Sequence, residues 1–146
     1  MKLTVMHEPV GQPRPRARVL PGPKPIATMY DDKKHAVTGF KAAIVAAAQA
    51  AGVVLSEKPI SLELQFFFPR PQRLTWKKRA MERCIHGGKP DIDNLAKAFL
   101  DALNGIAWQD DGQVWNLRLT KWYCAGGEAP HVEAEWYEDE PDGACF

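Results

Sequence analysis

From Ile60 to Phe68 the chain alternates. Ile60, Leu62, Leu64, Phe66 and Phe68 are apolar, Ser61, Glu63 and Gln65 are polar, and Pro69 and Pro71 close the run. A period of two over nine residues predicts a strand with one buried face, and the prolines cannot extend its ladder. Weaker patterns of the same kind occur three more times. Leu3 and Val5 alternate with Lys2 and Thr4; Trp115, Leu117 and Leu119 with Asn116, Arg118 and Thr120; Val132, Ala134 and Trp136 with Glu133 and Glu135.

Two stretches follow the helical period instead. Val37, Phe40, Ile44, Ala47, Ala48 and Ala51 predict a helix over about 34–51 that Gly52 stops. Leu95, Ala98, Phe99, Ala102 and Leu103 line one face of a second helix over 94–104, with Gly105 as its left-handed end and Ile106 packing back. The run from Thr75 to Cys84 reads as a short basic helix with Thr75 as N-cap. Six prolines between Pro9 and Pro25 forbid regular helix and favour extended backbone there. The order β, loop, α, β, α, α, β, β predicts an α/β fold: a single domain with a small mixed β-sheet flanked by helices.

Size and composition agree. A chain of 146 residues with 45% hydrophobic content, five Trp and six Phe can bury one core, which excludes wholesale disorder. No stretch approaches the ~18 apolar residues of a membrane span, and Met1-Lys2-Leu3-Thr4-Val5 is no secretory signal. A soluble, cytoplasmic protein without membrane attachment is the expectation. Cys84, Cys124 and Cys145 are odd in number and widely spaced, which argues for free thiols over a disulfide framework or a zinc ribbon. Cys84 and His86 have no second pair at ligand spacing and read as loop residues. The folded domain is expected over 1–137, followed by an acidic tail, 138–146, that frays.

Charge is unevenly distributed. Residues 1–90 hold 16 Lys and Arg against 6 Asp and Glu, whereas residues 91–146 hold 3 against 12. Such asymmetry suits a basic surface for a polyanion beside an acidic cluster that binds metal or is simply solvated. Candidate phosphate contacts are Arg14, Arg16, Arg18, Lys24, Lys77, Lys78, Arg79 and Lys89, which flank the acidic residues in sequence.

Those acidic residues centre on Lys89-Pro90-Asp91-Ile92-Asp93-Asn94-Leu95-Ala96-Lys97 and on Asp110-Asp111-Gly112-Gln113. Asp93, Lys97 and Asp101 share a helical face opposite Leu95, Phe99 and Leu103. Converging carboxylates suit a hard divalent cation such as Mg²⁺, and a lysine beside it would meet charge growing on a phosphoryl group. The same residues also suit plainer tasks. Asp93 or Asn94 can cap a helix, Asp91 can favour its positive end, and Asp110-Asp111-Gly112 is a common turn. Phe67, Phe68 and Trp76 are candidates for stacking on an opened base, or for core and dimer contacts.

Taken in order, Lys89 to Lys97, then Asp101-Ala102-Leu103-Asn104-Gly105-Ile106, then Asp110-Asp111 with Gln113-Val114, closely resemble the RusA family of Holliday-junction resolvases, small enzymes often carried by prophages. Arg16-Ala17-Arg18 resembles the family's N-terminal Arg-Pro-Arg element, with Ala17 in place of the proline. Trp76-Lys77-Lys78-Arg79 resembles its basic helix. After Tyr30 the chain reads Asp31-Asp32-Lys33-Lys34 where relatives commonly have Thr-Pro before the lysines. The resemblance spans roughly residues 3–122. It implies a homodimeric, Mg²⁺-dependent endonuclease, with Mn²⁺ able to substitute, that resolves four-way DNA junctions by paired nicks. The family's metal-binding aspartates fall on Asp91, Asp93 and Asp111, and its essential lysine on Lys97, with Asp110 second to Asp111. Two other readings stay open: a non-enzymatic DNA-binding module, or a nuclease for other branched DNA such as flaps and forks.

Overall fold

The chain lays down β1 (Lys2–Val5), β2 (Arg16–Leu20), β3 (Ile26–Tyr30), α1 (Lys34–Ala50), β4 (Ile60–Phe68), β5 (Cys84–Ile85), α2 (Ile92–Leu103), β6 (Val114–Tyr123) and β7 (His131–Glu138). The structure, a computed structural model, describes residues 1–13, 16–20, 22, 26–30 and 34–142, with the runs 16–20 and 26–30 and Lys34 described by backbone alone. Five strands form one mixed sheet in the order β1-β7-β4-β6-β5, with β4 parallel to β6 and every other pair antiparallel. β2 and β3 form a separate antiparallel hairpin, Arg16 opposite Tyr30. The α/β expectation therefore holds: this is a single small mixed α/β domain.

The alternating run takes the central position that its pattern demands. Ile60, Leu62, Leu64 and Phe66 of β4 are at most 2% exposed. They meet Phe40 and Ile44 of α1 and Leu95, Phe99 and Leu103 of α2 in one core. Burying a side chain of this size contributes about 1.5–3 kcal/mol. The opposite face of the sheet carries Lys2, Thr4, Glu63, Gln65, Glu133 and Glu135, and both helices pack on the apolar face. On the polar face Phe67 is fully buried, stacked on His131 with ring centroids 4.3 Å apart and covered by the Arg83 guanidinium at 4.2 Å.

Four expectations need correction. The basic helix over 75–84 does not form: Gln72–Leu74 make a single 3₁₀ turn, Thr75 is extended at its end, and the chain then runs irregularly to β5. A helix there would have no apolar stripe to bury, with Trp76 and Met81 its only large apolar groups. Instead Arg79 lies 3.7 Å and Arg70 4.9 Å from the Trp76 ring centre, an attraction worth about 0.5–1 kcal/mol each at exposed sites. The Trp76 N–H reaches Met81 Sδ at 3.3 Å, and Met81 O accepts from Gly126 N–H at 2.8 Å.

The second correction concerns β6. The β4–β6 ladder shifts between Ile60 and Ser61, pairing Ile60 with Val114 and Ser61 with Asn116. Trp115 is thus the extra residue. Its Nε1 donates to Asp139 Oδ2 at 2.7 Å, and it is 66% exposed instead of joining Leu117 and Leu119. Thirdly, fraying does not begin at Glu138. Glu138 closes β7, Asp139 N–H donates to Pro59 O at 2.8 Å, and Lys58 pairs with Glu140. Lastly, the proline-rich segment contains β2, with β3 following it, where only extended chain was expected.

Candidate functional site

α2 begins where β6 ends. Asp91, at φ −66° and ψ 138°, is the N-cap by position, yet its side chain makes no capping bond. Asp91 Oδ1 lies 2.7 Å from Lys89 Nζ. Asp93 is exposed in the first turn, and Lys97 follows one turn later on the same exposed face. Lys97 Nζ reaches Asp101 Oδ1 at 3.3 Å, and Asp101 Oδ2 is 3.9 Å from Lys41 of α1. The opposite face of α2, with Leu95, Phe99 and Leu103, is fully buried, so the helix is held while its charged side stays open.

Lys121 of β6 anchors the approach to Asp91. Its Nζ donates to Pro90 O at 2.8 Å and also to Gly88 O. Burial pushes the Lys121 pKa below the usual lysine value; Asp91 opposes that push and Lys89 adds to it. His86 supports the same loop. It stacks on Tyr123 with centroids 4.2 Å apart, and its Nδ1 accepts the Gly88 N–H at 3.1 Å. Sequence reasoning missed Lys121. The available signal was a lysine two residues after Leu119, on the apolar side of β6 and opposite Phe66.

The loop from Arg70 to Cys84 lies at this same end of the sheet, because β4 ends at Phe68 beside Tyr123. Arg70, also missed, ties the loop down through Leu74 O at 2.5 Å, Glu82 O at 2.7 Å and Cys124 O at 3.2 Å. Lys77, Lys78 and Arg79 are exposed on it, and Lys89 is exposed beside Asp91. Arg16 and Arg18 sit in β2; Arg14 and Lys24 lie outside the described residues. Phe67 and Phe68 are buried and serve packing, not base stacking.

Asp111 is elsewhere. It opens the 3₁₀ turn Asp111–Gln113 just before β6, alongside the segment that precedes β4. Gln113 Nε2 donates to Ser56 O and Lys58 O, both at 3.0 Å, and Gln113 Oε1 accepts from Gln109 N–H at 2.7 Å and Asp110 N–H at 3.1 Å. Asp91 is beside Lys121, seven residues along β6 from Val114. Seven strand residues span roughly 23 Å and the twelve of α2 rise about 18 Å. Asp111 and Asp91 therefore occupy opposite ends of one chain. The expected meeting of Asp91, Asp93 and Asp111 is not found within this chain, and no cluster of three or more His, Cys, Asp or Glu suited to a metal forms among the described residues.

The profile of the family described as "Endodeoxyribonuclease RusA" matches residues 7–135, nearly the whole chain. The chain belongs to the RusA endodeoxyribonuclease family. A relative from Bacillus subtilis (strain 168), "Uncharacterized protein YqaN", is 33% identical over 138 residues, covering 91% of this chain and 92% of its own length. RusA proteins are Holliday-junction resolvase nucleases and are generally dependent on a divalent metal. No helix among the described residues is long and apolar enough to cross a membrane.

For such a metal the α2 end fits in part. Asp91 and Asp93 are hard oxygen donors two residues apart at a helix start, and Mg²⁺ is commonly held by one or two carboxylates with waters and phosphate completing the shell. A buried acceptor, Gln12 Oε1, has no hydrogen-bond partner among the described residues, and the Gln12 backbone N–H donates to Asn94 O at 2.9 Å in the first turn of α2.

Proposed function

We propose that this RusA-family chain is a Mg²⁺-dependent, structure-selective endodeoxyribonuclease that acts as a homodimer and resolves four-way DNA junctions by paired symmetric nicks, with Mn²⁺ able to take the place of Mg²⁺. The supporting observation is the exposed start of α2. Asp91 and Asp93 stand there with Lys97 one turn on, and Lys77, Lys78 and Arg79 are exposed on the loop that leaves β4 at the same end of the sheet.

Asp91 and Asp93, with Asp111 brought by the second copy of the homodimer, would hold the ion, which when bound polarises a phosphoryl oxygen and activates a water. Lys97 supplies positive charge where the scissile phosphate gains negative charge. Its bond to Asp101 is an exposed i,i+4 pair at 3.3 Å, worth about 0.3–0.5 kcal/mol, so Lys97 can swing to phosphate at small cost. Lys89, Lys77, Lys78 and Arg79 neutralise flanking phosphates, joined by Arg14, Arg16, Arg18 and Lys24 of the N-terminal segment. Contacts of this kind position DNA without reading bases, so recognition of the branch rests on shape.

The test is cleavage of a labelled synthetic four-way junction, with Mg²⁺ and with EDTA, by the wild-type chain and Asp93→Asn. Wild type is expected to nick two opposed strands only with metal. Asp93→Asn is expected to lose about 10²–10³-fold in rate while binding the junction as tightly or more tightly, since one repulsive carboxylate is removed. Junction binding without any metal-dependent nick would favour a non-enzymatic module. Faster cutting of flaps or forks than of junctions would change the substrate.

A further inference from the structure

We propose that Trp76 sets the preference for branched DNA: Arg79 leaves the indole ring for a backbone phosphate, and the uncovered ring stacks on an unpaired base at the branch point. This rests on the nuclease reading above and names a residue by which such an enzyme tells a branch from a duplex.

The loop from Arg70 to Cys84 holds Trp76 by its backbone and covers its ring loosely. The Trp76 N–H reaches Met81 Sδ at 3.3 Å, and Met81 O accepts from Gly126 N–H at 2.8 Å, so the residue is moored to the connection between β6 and β7. Two guanidinium groups lie over the ring, Arg79 at 3.7 Å from its centre and Arg70 at 4.9 Å. They are not equivalent. Arg70 donates to Leu74 O, Glu82 O and Cys124 O, which fix it in place. Arg79 is exposed, and among the described residues it makes no hydrogen bond or ion pair, only its contact with the ring.

The indole nitrogen is the second observation. Trp115 and Trp122 also reach solvent, and their Nε1–H groups donate to Asp139 Oδ2 and Thr120 Oγ1. Trp76 is half-buried, yet its Nε1–H has no acceptor among the described residues. Its neighbours in sequence, Lys77 and Lys78, are exposed cations. The loop leaves β4 at the end of the sheet where Lys121 holds the segment before Asp91. A ring with an open donor thus stands among free positive charges at the end of the sheet that carries the acidic residues.

Physical chemistry gives the direction of the exchange. An exposed cation–π contact is a weak attraction, whereas phosphate offers a guanidinium two charge-assisted hydrogen bonds at once. Repulsion between the two guanidinium groups over one ring favours the same departure. Stacking of a base on an aromatic side chain is stronger than the contact given up. Within a duplex each base is already stacked on both sides and costs free energy to extract. An unpaired base costs least. Every base has a π face, so Trp76 selects for the branch and not for a sequence.

The experiment places 5-iodouracil at the branch point of a synthetic four-way junction, adds the wild-type chain in EDTA so that nothing is cut, and irradiates. Iodouracil stacked on an indole cross-links to it, and mass spectrometry is expected to locate the bond on Trp76. Moving the label to the middle of an arm should reduce that product at least about tenfold. Fluorescence anisotropy supplies the second readout. Trp76→Leu keeps apolar bulk without a π face and should lower the ratio of junction to duplex affinity about tenfold. Trp76→Phe should bring the ratio back to within about threefold of wild type. A cross-link on another residue, or a leucine variant as selective as the phenylalanine one, overturns the proposal. If amide exchange at Met81 and Gly126 shows that Trp76→Leu disturbs the loop, the cross-link on the unaltered chain decides alone. If wild type neither prefers the junction nor nicks it with Mg²⁺, it is the nuclease reading that fails, and the same label in the unpaired arm of a forked DNA decides for or against Trp76.

Discussion

Lys121 Nζ donates to the carbonyl of Pro90 across 2.8 Å, joining the end of β6 to the residue before Asp91. A second bond to Gly88 O makes this ammonium the clasp of the whole 88–91 segment. Lys121→Met keeps the length of the stem and removes the donor. Two carbonyls then lose their partner, so urea unfolding should show a loss of about 1–3 kcal/mol. Cleavage should fall at least about tenfold, since Asp91 is no longer held within the tolerance that catalysis needs. Junction affinity should hold nearly constant. An equal loss of affinity and rate would mean that Lys121 contacts DNA and does not position Asp91.

His86 makes the same segment sensitive to acid. Burial, then Lys121 and then Arg73 keep its pKa below the ordinary value, against an opposing pull from the Lys89 backbone. Its Nδ1 accepts the Gly88 N–H at 3.1 Å, which requires that nitrogen to be unprotonated. The sign follows from linkage. Below about pH 6.5 the unfolded chain takes up a proton that the folded chain refuses, so stability falls as pH falls through that region. His86→Phe keeps a ring against Tyr123 and removes the titration. Its melting temperature, relative to wild type, should rise between pH 7 and pH 5 and stay level above pH 7.5. A constant difference across that range would contradict the assignment.

The basic loop yields a prediction in salt. Lys77 and Lys78 are exposed, whereas Arg79 lies over Trp76 at 3.7 Å. Each lysine that neutralises a phosphate contributes about 0.9 to the slope of log K against log salt. Lys77→Ala with Lys78→Ala should therefore flatten the slope for junction binding by about 2, measured by fluorescence anisotropy between 50 and 200 mM salt. Arg79→Ala alone should change the slope less and loosen the loop more, visible as faster amide exchange around Trp76. A double lysine variant with an unaltered slope would remove this loop from the DNA interface.

What the sequence revealed, and what it hid, divides along physical lines. Strong periodicity translated directly. The alternation of Ile60 to Phe68 became the central strand, and the spacing of Leu95, Phe99 and Leu103 became the buried face of α2, ended by Gly105 at φ +77°. Composition without periodicity misled. The run Trp76-Lys77-Lys78-Arg79 has helix-forming residues but no stripe to bury, and cation–π contacts took it instead. A single bulge sent Trp115 away from Leu117, which no pattern of alternation can foresee. The site was legible as a motif but not as a constellation. Spacing put Asp91, Asp93 and Lys97 together on one helix start, while the path of β6 carried Asp111 to the far end.

Gln113 decides where Asp111 is held. Its side-chain oxygen accepts the Gln109 and Asp110 amides, and its side-chain nitrogen donates to Ser56 O and Lys58 O, four bonds between 2.7 and 3.1 Å. With net contributions near 0.5–1.5 kcal/mol each in a partly exposed turn, Gln113→Ala should cost about 2 kcal/mol in urea unfolding. Its larger effect should be on chemistry. Asp111 would no longer be presented in one direction, so the rate constant for nicking should fall about tenfold or more while junction affinity stays unchanged. Gln113→Glu separates the two halves of the clamp. It keeps the oxygen that orders Gln109 and Asp110 but loses the donor to Ser56 and Lys58, so its rate should lie between wild type and Gln113→Ala. Equal rates for the alanine and glutamate variants would assign the positioning of Asp111 to the backbone of the turn and not to this side chain.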